Sequence, residues 1–159
     1  MDRQKEILQY NVEWLKFAET KATLILTIQG VLLTVIYSNA NDLYNAILNS
    51  KLQLFFSVIS AILFFLTLLF CFFAINPNLK NHLTKSAIYF GTIKNYKDYK
   101  EYSKSLNDFS ETEIKEMLSE QIYINSKIAW NKFVKVGWAI RFFTFLLLVL
   151  FIQVLIYIF

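Results

Sequence analysis

The chain has little of what catalytic and disulfide-stapled proteins depend on. Of its 159 residues, one is cysteine, one histidine, one proline and three are glycine. The lone cysteine, Cys71, excludes an intrachain disulfide, and its place inside an apolar run says nothing of redox compartment. The lone histidine, His82, follows Pro77 and reads as a solvated loop side chain; a metal site would need several His, Cys or carboxylates at fixed spacing. No P-loop, dinucleotide fingerprint or nucleophile elbow is present. Glu111, Glu113, Glu116 and Glu120 read as the solvated start of a helix, where acids complement the dipole, and not as paired catalytic carboxylates. These absences argue against an enzyme.

What the chain does have is long apolar runs: Ala22–Tyr37, Leu52–Ile75 and Val136–Phe159. A hydrocarbon core of about 30 Å needs roughly 20 apolar residues as a helix. The second and third runs meet that need outright, and the first does so with flanking Thr20 or Ser38. The pattern predicts an all-α membrane protein with three transmembrane helices and a cytoplasmic helical insert. It reads as one domain over 1–159: a cytoplasmic helix at 1–21, spans at 22–38, 52–75 and 136–159, and the insert at 76–135. What remains outside the spans is too small for a separate catalytic core. Residues 1–21 carry four acids beside four bases, and Ser38-Asn39-Ala40 only weakly resembles a cleavage site, so the first run is expected to stay as a span and not to be removed as a signal peptide.

Basic residues set the expected orientation. The N-terminal segment holds Arg3, Lys5, Lys16 and Lys21, the insert holds ten lysines, and the short loop Ser38–Lys51 holds only Lys51. The N-terminus and the insert should therefore face the cytoplasm. Ten lysines against seven acids leave the insert too mildly basic for nucleic acid, which calls for a clearly basic stripe.

Residues 2–21 read as a helix that continues into the first span. Ile7, Leu8, Trp14, Leu15, Ala18, Ala22 and Ile25 recur near a 3.5-residue period, and neither Gly nor Pro interrupts before Gly30. Gly30 suggests close helix packing. Gln29 needs a hydrogen-bond partner in lipid; Thr144 on the third span reaches a similar depth. Gln153 lies deeper and needs another partner, for which a second copy of the chain is one candidate. Both glutamines read first as interhelical glue. Pro77 ends the second span. Leu79–Ile93 is ambiguous, Tyr96–Leu106 reads as a short helix and Asn107-Asp108 as a turn. Ser110 with Glu113 forms a capping box that starts a helix, supported by a Glu111–Lys115 pair. No breaker follows until Gly137, so this helix is expected to continue into the third span. Arg141 is expected to snorkel to the interface in preference to pairing with Glu19.

Two clusters could hold a ligand. On the last helix, Ile114, Met117, Leu118, Ile122, Ile128, Ala129 and Val136 form an apolar stripe with Gln121, Asn125 and Lys132 in its middle. Polar groups on an inward face must be paired with each other, water or a ligand. Either they form a buried polar network in a bundle, or Lys132 meets an anionic group while Gln121 and Asn125 read donors and acceptors. The second cluster holds Tyr89, Phe90, Lys94, Tyr96, Lys97, Tyr99, Lys100, Tyr102 and Lys104. Rings plus lysines can hold a base and a phosphate. The alternation of Lys97, Lys100 and Lys104 with Asp98 and Glu101 fits an ordinary exposed helix better.

Three stretches carry a family resemblance: Trp14-Leu15-Lys16-Phe17-Ala18-Glu19-Thr20-Lys21-Ala22-Thr23; Tyr89-Phe90-Gly91-Thr92-Ile93 followed by Tyr99; and Gln121-Ile122-Tyr123-Ile124-Asn125-Ser126-Lys127-Ile128-Ala129 with Lys132. In this order the chain resembles the Pycsar transmembrane effectors of bacterial antiphage defence. The resemblance implies a partner pyrimidine cyclase, and cyclic UMP or cyclic CMP as activating ligand with no further cofactor. It also implies an effector in the bacterial inner membrane that impairs membrane integrity and causes abortive infection. Gln121, Asn125, Lys132, Tyr89 and Phe90 are then the expected ligand-binding residues. No arginine is available in the insert to grip a phosphate bidentately, which leaves lysine or backbone amides. Three small spans enclose no pore alone, so a homo-oligomer in the bilayer is expected. Two other readings stay open: an adaptor membrane subunit whose insert docks a protein, and a small ligand-free ion channel. The second is weakened because no ring of acids lines a span.

Overall fold

The computed structural model describes residues 2–76 and 86–158. His82 lies outside the described residues, as do residues 79–85 of the ambiguous stretch Leu79–Ile93. The described residues form helices and no strand: α1 (Asp2–Ser38), α2 (Ala40–Asn49), α3 (Lys51–Ile75), α4 (Phe90–Ile93), α5 (Tyr99–Asp108) and α6 (Glu111–Ile158). Among them, α1, α3 and α6 are long and apolar enough to cross a membrane. The protein is thus an all-α membrane protein with three candidate spans, as the runs predict.

Helix lengths follow from the scarcity of breakers. α1 passes through Gly30 and α6 through Gly137 without interruption. A Cβ added at either glycine would meet nothing within 4 Å, so Gly30 marks open surface and not the close packing expected of it. The capping box at the start of α6 is complete. Glu113 N–H donates to Ser110 Oγ at 3.3 Å, and Ser110 N–H donates back to Glu113 Oε2 at 2.8 Å. Those bonds satisfy two of the orphan donors of a helix start. They also hold the Glu113 carboxyl below its ordinary pKa, the backbone N–H of Ser110 first and its hydroxyl second.

Two elements differ from the expectation. The short loop between the first two spans contains α2, whose Leu43, Ala46 and Ile47 recur at helical spacing and are partly buried. α5 ends at Asp108, where a turn was expected. It starts at an Asp98 cap, whose Oδ1 accepts from Glu101 N–H at 2.8 Å.

The chain divides into two compact units: Met1–Phe17 with Pro77–Trp130, and Ala18–Asn76 with Asn131–Phe159. α1 and α6 contribute to both. In the first unit, polar forks join α1 to α6. Gln4 Nε2 donates to Lys115 O (3.2 Å) and Ser119 Oγ (2.8 Å). Asn11 Nδ2 donates to Ile122 O (3.2 Å) and Ser126 Oγ (3.0 Å). Each serine in turn donates to the same carbonyl, Lys115 O or Ile122 O, so each fork closes on itself. All partners advance by seven residues from one fork to the next, the spacing of two parallel helices in coiled-coil register.

The second unit holds the spans. Its core cluster is built mainly of small residues: Ala18, Ala22 and Ile25 of α1, Cys71 and Ala74 of α3, and Val136 and Ala139 of α6. Small side chains let helix backbones approach closely where lipid supplies no hydrophobic drive. Bulky residues such as Leu24, Val31, Phe55, Ile62, Phe65, Phe145, Leu148 and Phe151 point outward and are exposed, as a lipid-facing surface requires.

Candidate functional site

In the first unit, the tight stretch 86–93 carries Tyr89 and Phe90, and the early part of α6 carries Gln121 and Asn125; the remaining expected ligand residue, Lys132, lies in the second unit. Ser86 Oγ accepts from the N–H groups of Ile88 (3.2 Å) and Tyr89 (3.1 Å), which turns the chain into α4. Ser86, Ala87 and Thr92 are buried. Tyr102 Oη donates to Ala87 O at 2.9 Å, tying α5 to this stretch. Tyr96 shares a 2.9 Å hydrogen bond with Ser105 and lies edge-on to Tyr102 at 5.4 Å. Tyr96 and Tyr102 of the aromatic cluster thus brace the fold, while Tyr99 points outward.

The ring of half-buried Tyr89 lies over the backbone of Gly91. A Cβ on Gly91 would sit 2.4 Å from Tyr89 Cε1, so only glycine leaves the ring in place. This is a matter of space; no residue here has positive φ. Phe90 begins α4, and its side chain lies outside the described part.

On α6, Gln121 and Asn125 are both half-buried, and Gln121 Nε2 donates to Asn125 Oδ1 at 3.3 Å. Gln121 Oε1 is buried and accepts no hydrogen bond among the described residues; Thr92 Oγ1 is in the same condition. Buried polar atoms are nearly always paired, so these oxygens mark places where something with a donor can bind.

Lys132 belongs to the second unit and is buried, at 5 % exposure. Its Nζ lies 2.5 Å from Glu19 Oε1 of α1. The inward lysine does meet an anionic group, and that group is supplied by the chain itself. Glu19 thus pairs with Lys132 and not with Arg141, whose guanidinium lies 4.8 Å from the Trp138 ring. The neighbouring Lys135 donates to Phe73 O at 3.2 Å.

Within the spans the glutamines find other partners than expected. Gln29 Nε2 donates to Phe64 O of α3 at 3.2 Å, while Thr144 is exposed and donates to Ile140 O of its own helix. Gln153 is satisfied inside the chain, accepting from Ser60 Oγ and donating to Ser57 Oγ, both at 3.0 Å. It therefore needs no second copy to bind it. Among the described residues, no cluster of His, Cys, Asp and Glu could hold a metal ion.

Fold and site together define a small helical membrane protein with a polar cluster outside its spans and two helices that run on into them. The chain belongs to the Pycsar effector family: the Pycsar effector protein domain, PycTM, matches residues 3–159. It is 27 % identical over 124 residues to the Pycsar effector protein SaPycTM of Staphylococcus aureus, covering 78 % of this chain and 75 % of that protein. No solved structure matches it. Membership makes the chain an antiphage defence effector carried on transmembrane helices.

Proposed function

We propose that the chain is switched on by a cyclic pyrimidine nucleotide, cyclic UMP or cyclic CMP, made by a partner cyclase, and that it then impairs the bacterial inner membrane and aborts infection. The observation that carries this reading is Gln121 Oε1, a buried acceptor without a donor among the described residues, beside the Asn125 amide on a helix that continues unbroken to Ile158. Uracil presents an N–H and cytosine an amino group on the edge an amide oxygen can read. Tyr89, held by Gly91, offers a ring face for stacking. Phe90 joins this set by its place in the sequence.

Lys132 takes a different role from Gln121. Eleven residues of helix separate them by roughly 17 Å, beyond the reach of one cyclic mononucleotide. In this reading Lys132 holds Glu19, and so α1, to α6 where the spans begin. A ligand-driven change in the first unit travels along α1 and α6, two continuous helices, and loosens the spans at that pair. Neither catalysis nor any cofactor enters. The basic N-terminus and insert face the cytoplasm, where the messenger is made. Several copies act together in the bilayer.

Titration of the purified full chain in detergent with cyclic UMP, cyclic CMP or cyclic AMP, read by thermal shift, tests this. One pyrimidine nucleotide should raise the melting temperature, and Gln121→Leu should remove the shift. No shift with any of them overturns the reading and favours a protein-docking adaptor.

A further inference from the structure

The second span, α3, is built inside out. On α3 the buried residues are Gln53, Ser60, Thr67, Cys71 and Ala74, while its large apolar side chains face outward. Gln53, Ser60, Thr67 and Ala74 recur every seven residues, so one straight face of a membrane helix is polar or small along its length. From Gln53 to Ala74 that face covers roughly 31 Å, the thickness of a hydrocarbon core of about 30 Å. The other two helices add polar groups along it. Gln153 of α6 meets Ser57 and Ser60, and Gln29 of α1 meets the carbonyl of Phe64. The ion pair of Lys132 and Glu19 lies near the other end of the spans.

Gluing three helices together does not require this many polar groups. Alanine and leucine seams pack well in lipid, and a buried polar atom is costly unless paired. Two of these groups are not fully paired. Gln29, 1 % exposed, and Gln53, 6 % exposed, each bury an Oε1 that accepts no hydrogen bond among the described residues. Buried amide oxygens of this kind are ligands for water and for small monovalent cations, as carbonyl rings are in channels.

We propose that this seam is a closed ion path: when the spans loosen, Gln29, Gln53, Ser60, Thr67 and Gln153 line a water-filled route for small monovalent cations through the protein. The lesion is then a leak limited to small ions and not a general breach of lipid order. The inference rests on the effector reading for its trigger, but the path belongs to the spans themselves. Neutral amides and hydroxyls give a narrow, weakly selective path. Three spans enclose no pore alone, so the route forms where the loosened seams of several copies face a common axis, while the outward Phe and Leu side chains of each copy stay in lipid.

The test is conductance of the full chain in planar bilayers under a potassium chloride gradient, with and without the pyrimidine nucleotide that binds. Vesicles loaded with both potassium and calcein are measured in parallel. The path predicts current carried by potassium, calcein retained, and a fall of roughly ten-fold or more in Gln29→Leu/Gln53→Leu. Ser60→Glu should shift the reversal potential further toward potassium, a gain that misfolding cannot mimic. Calcein and potassium escaping together, at rates equal in the wild type and both variants, would overturn the path while leaving the messenger reading intact. Absence of current in both conditions would overturn the path and the membrane lesion with it. Current that ignores the nucleotide but responds to the seam substitutions supports the path and removes the messenger reading instead.

Discussion

The ammonium of Lys132 and the carboxylate of Glu19 meet at 2.5 Å although 113 residues separate them in the chain. They are unequally placed: the lysine side chain is 6 % exposed and the glutamate 43 %. Losing the glutamate therefore strands a buried charge, whereas losing the lysine leaves a carboxylate that water can reach. Glu19→Ala should destabilise the chain by about 2 kcal/mol, discounted from the full cost of breaking a buried pair because one partner is half solvated. Lys132→Met should cost clearly less, since a similar volume refills the site. Thermal unfolding of both variants in detergent checks the ordering, and equal losses would contradict the asymmetry.

The forks of Gln4 and Asn11 should act independently. Ser119 and Ser126 are seven residues apart, roughly 10 Å along the helix, and share no partner. Each Ser→Ala change should cost about 0.5–1 kcal/mol and the double variant their sum within about 0.5 kcal/mol. Hydrogen exchange of the amides in 2–17 should rise at each step. A double variant no worse than either single one would show that the forks are redundant.

Gly91→Ala places a methyl group where the Tyr89 ring now lies. The ring must swing away, and the turn held by Ser86 loosens with it. We expect a loss of cyclic nucleotide response of roughly ten-fold or more, from losing one stacked face, with little change in helix content. Gly30→Ala, in open space, is the control and should leave the response unchanged. A normal response in Gly91→Ala would remove Tyr89 from the proposed contacts.

The capping box gives a pH dependence. The Glu113 carboxyl titrates below its ordinary value in the folded chain, chiefly because Ser110 N–H donates to it. Its contribution to stability is therefore present above the unfolded glutamate pKa and is lost as pH falls through the lower folded value. Fraying of the first turn of α6, followed by amide exchange near residues 111–114, should begin only in acid. In Glu113→Gln that onset should disappear. An unchanged acid profile in this variant would assign it to another carboxylate.

The sequence made some of this legible and hid the rest for physical reasons. Hydropathy runs located α3 and the ends of α1 and α6, because burial in lipid demands length as well as apolarity. Ser110 and Glu113 declared the start of α6, because a capping box is local. The inward position of Lys132 followed from its stripe. Its partner did not, since a single sequence holds no record of which distant residues meet. The same applies to Gln153 with Ser57 and Ser60, and to Gln29 with Phe64. The forks of Gln4 and Asn11 keep a seven-residue spacing that was present to be read, but a search for apolar periodicity passes over polar positions. α2 is hidden in the sequence because ten residues between two spans offer only a short amphipathic pattern. Asp98 with Glu101 was a readable cap obscured by the lysines around it.

The most direct test of the account is release of contents from liposomes carrying the full chain, measured with cyclic UMP, cyclic CMP, cyclic AMP or no nucleotide. Trapped potassium should be released with one pyrimidine nucleotide alone, and Gln121→Leu should abolish that release. Release that is the same under all four conditions, or none from correctly inserted protein, would contradict it.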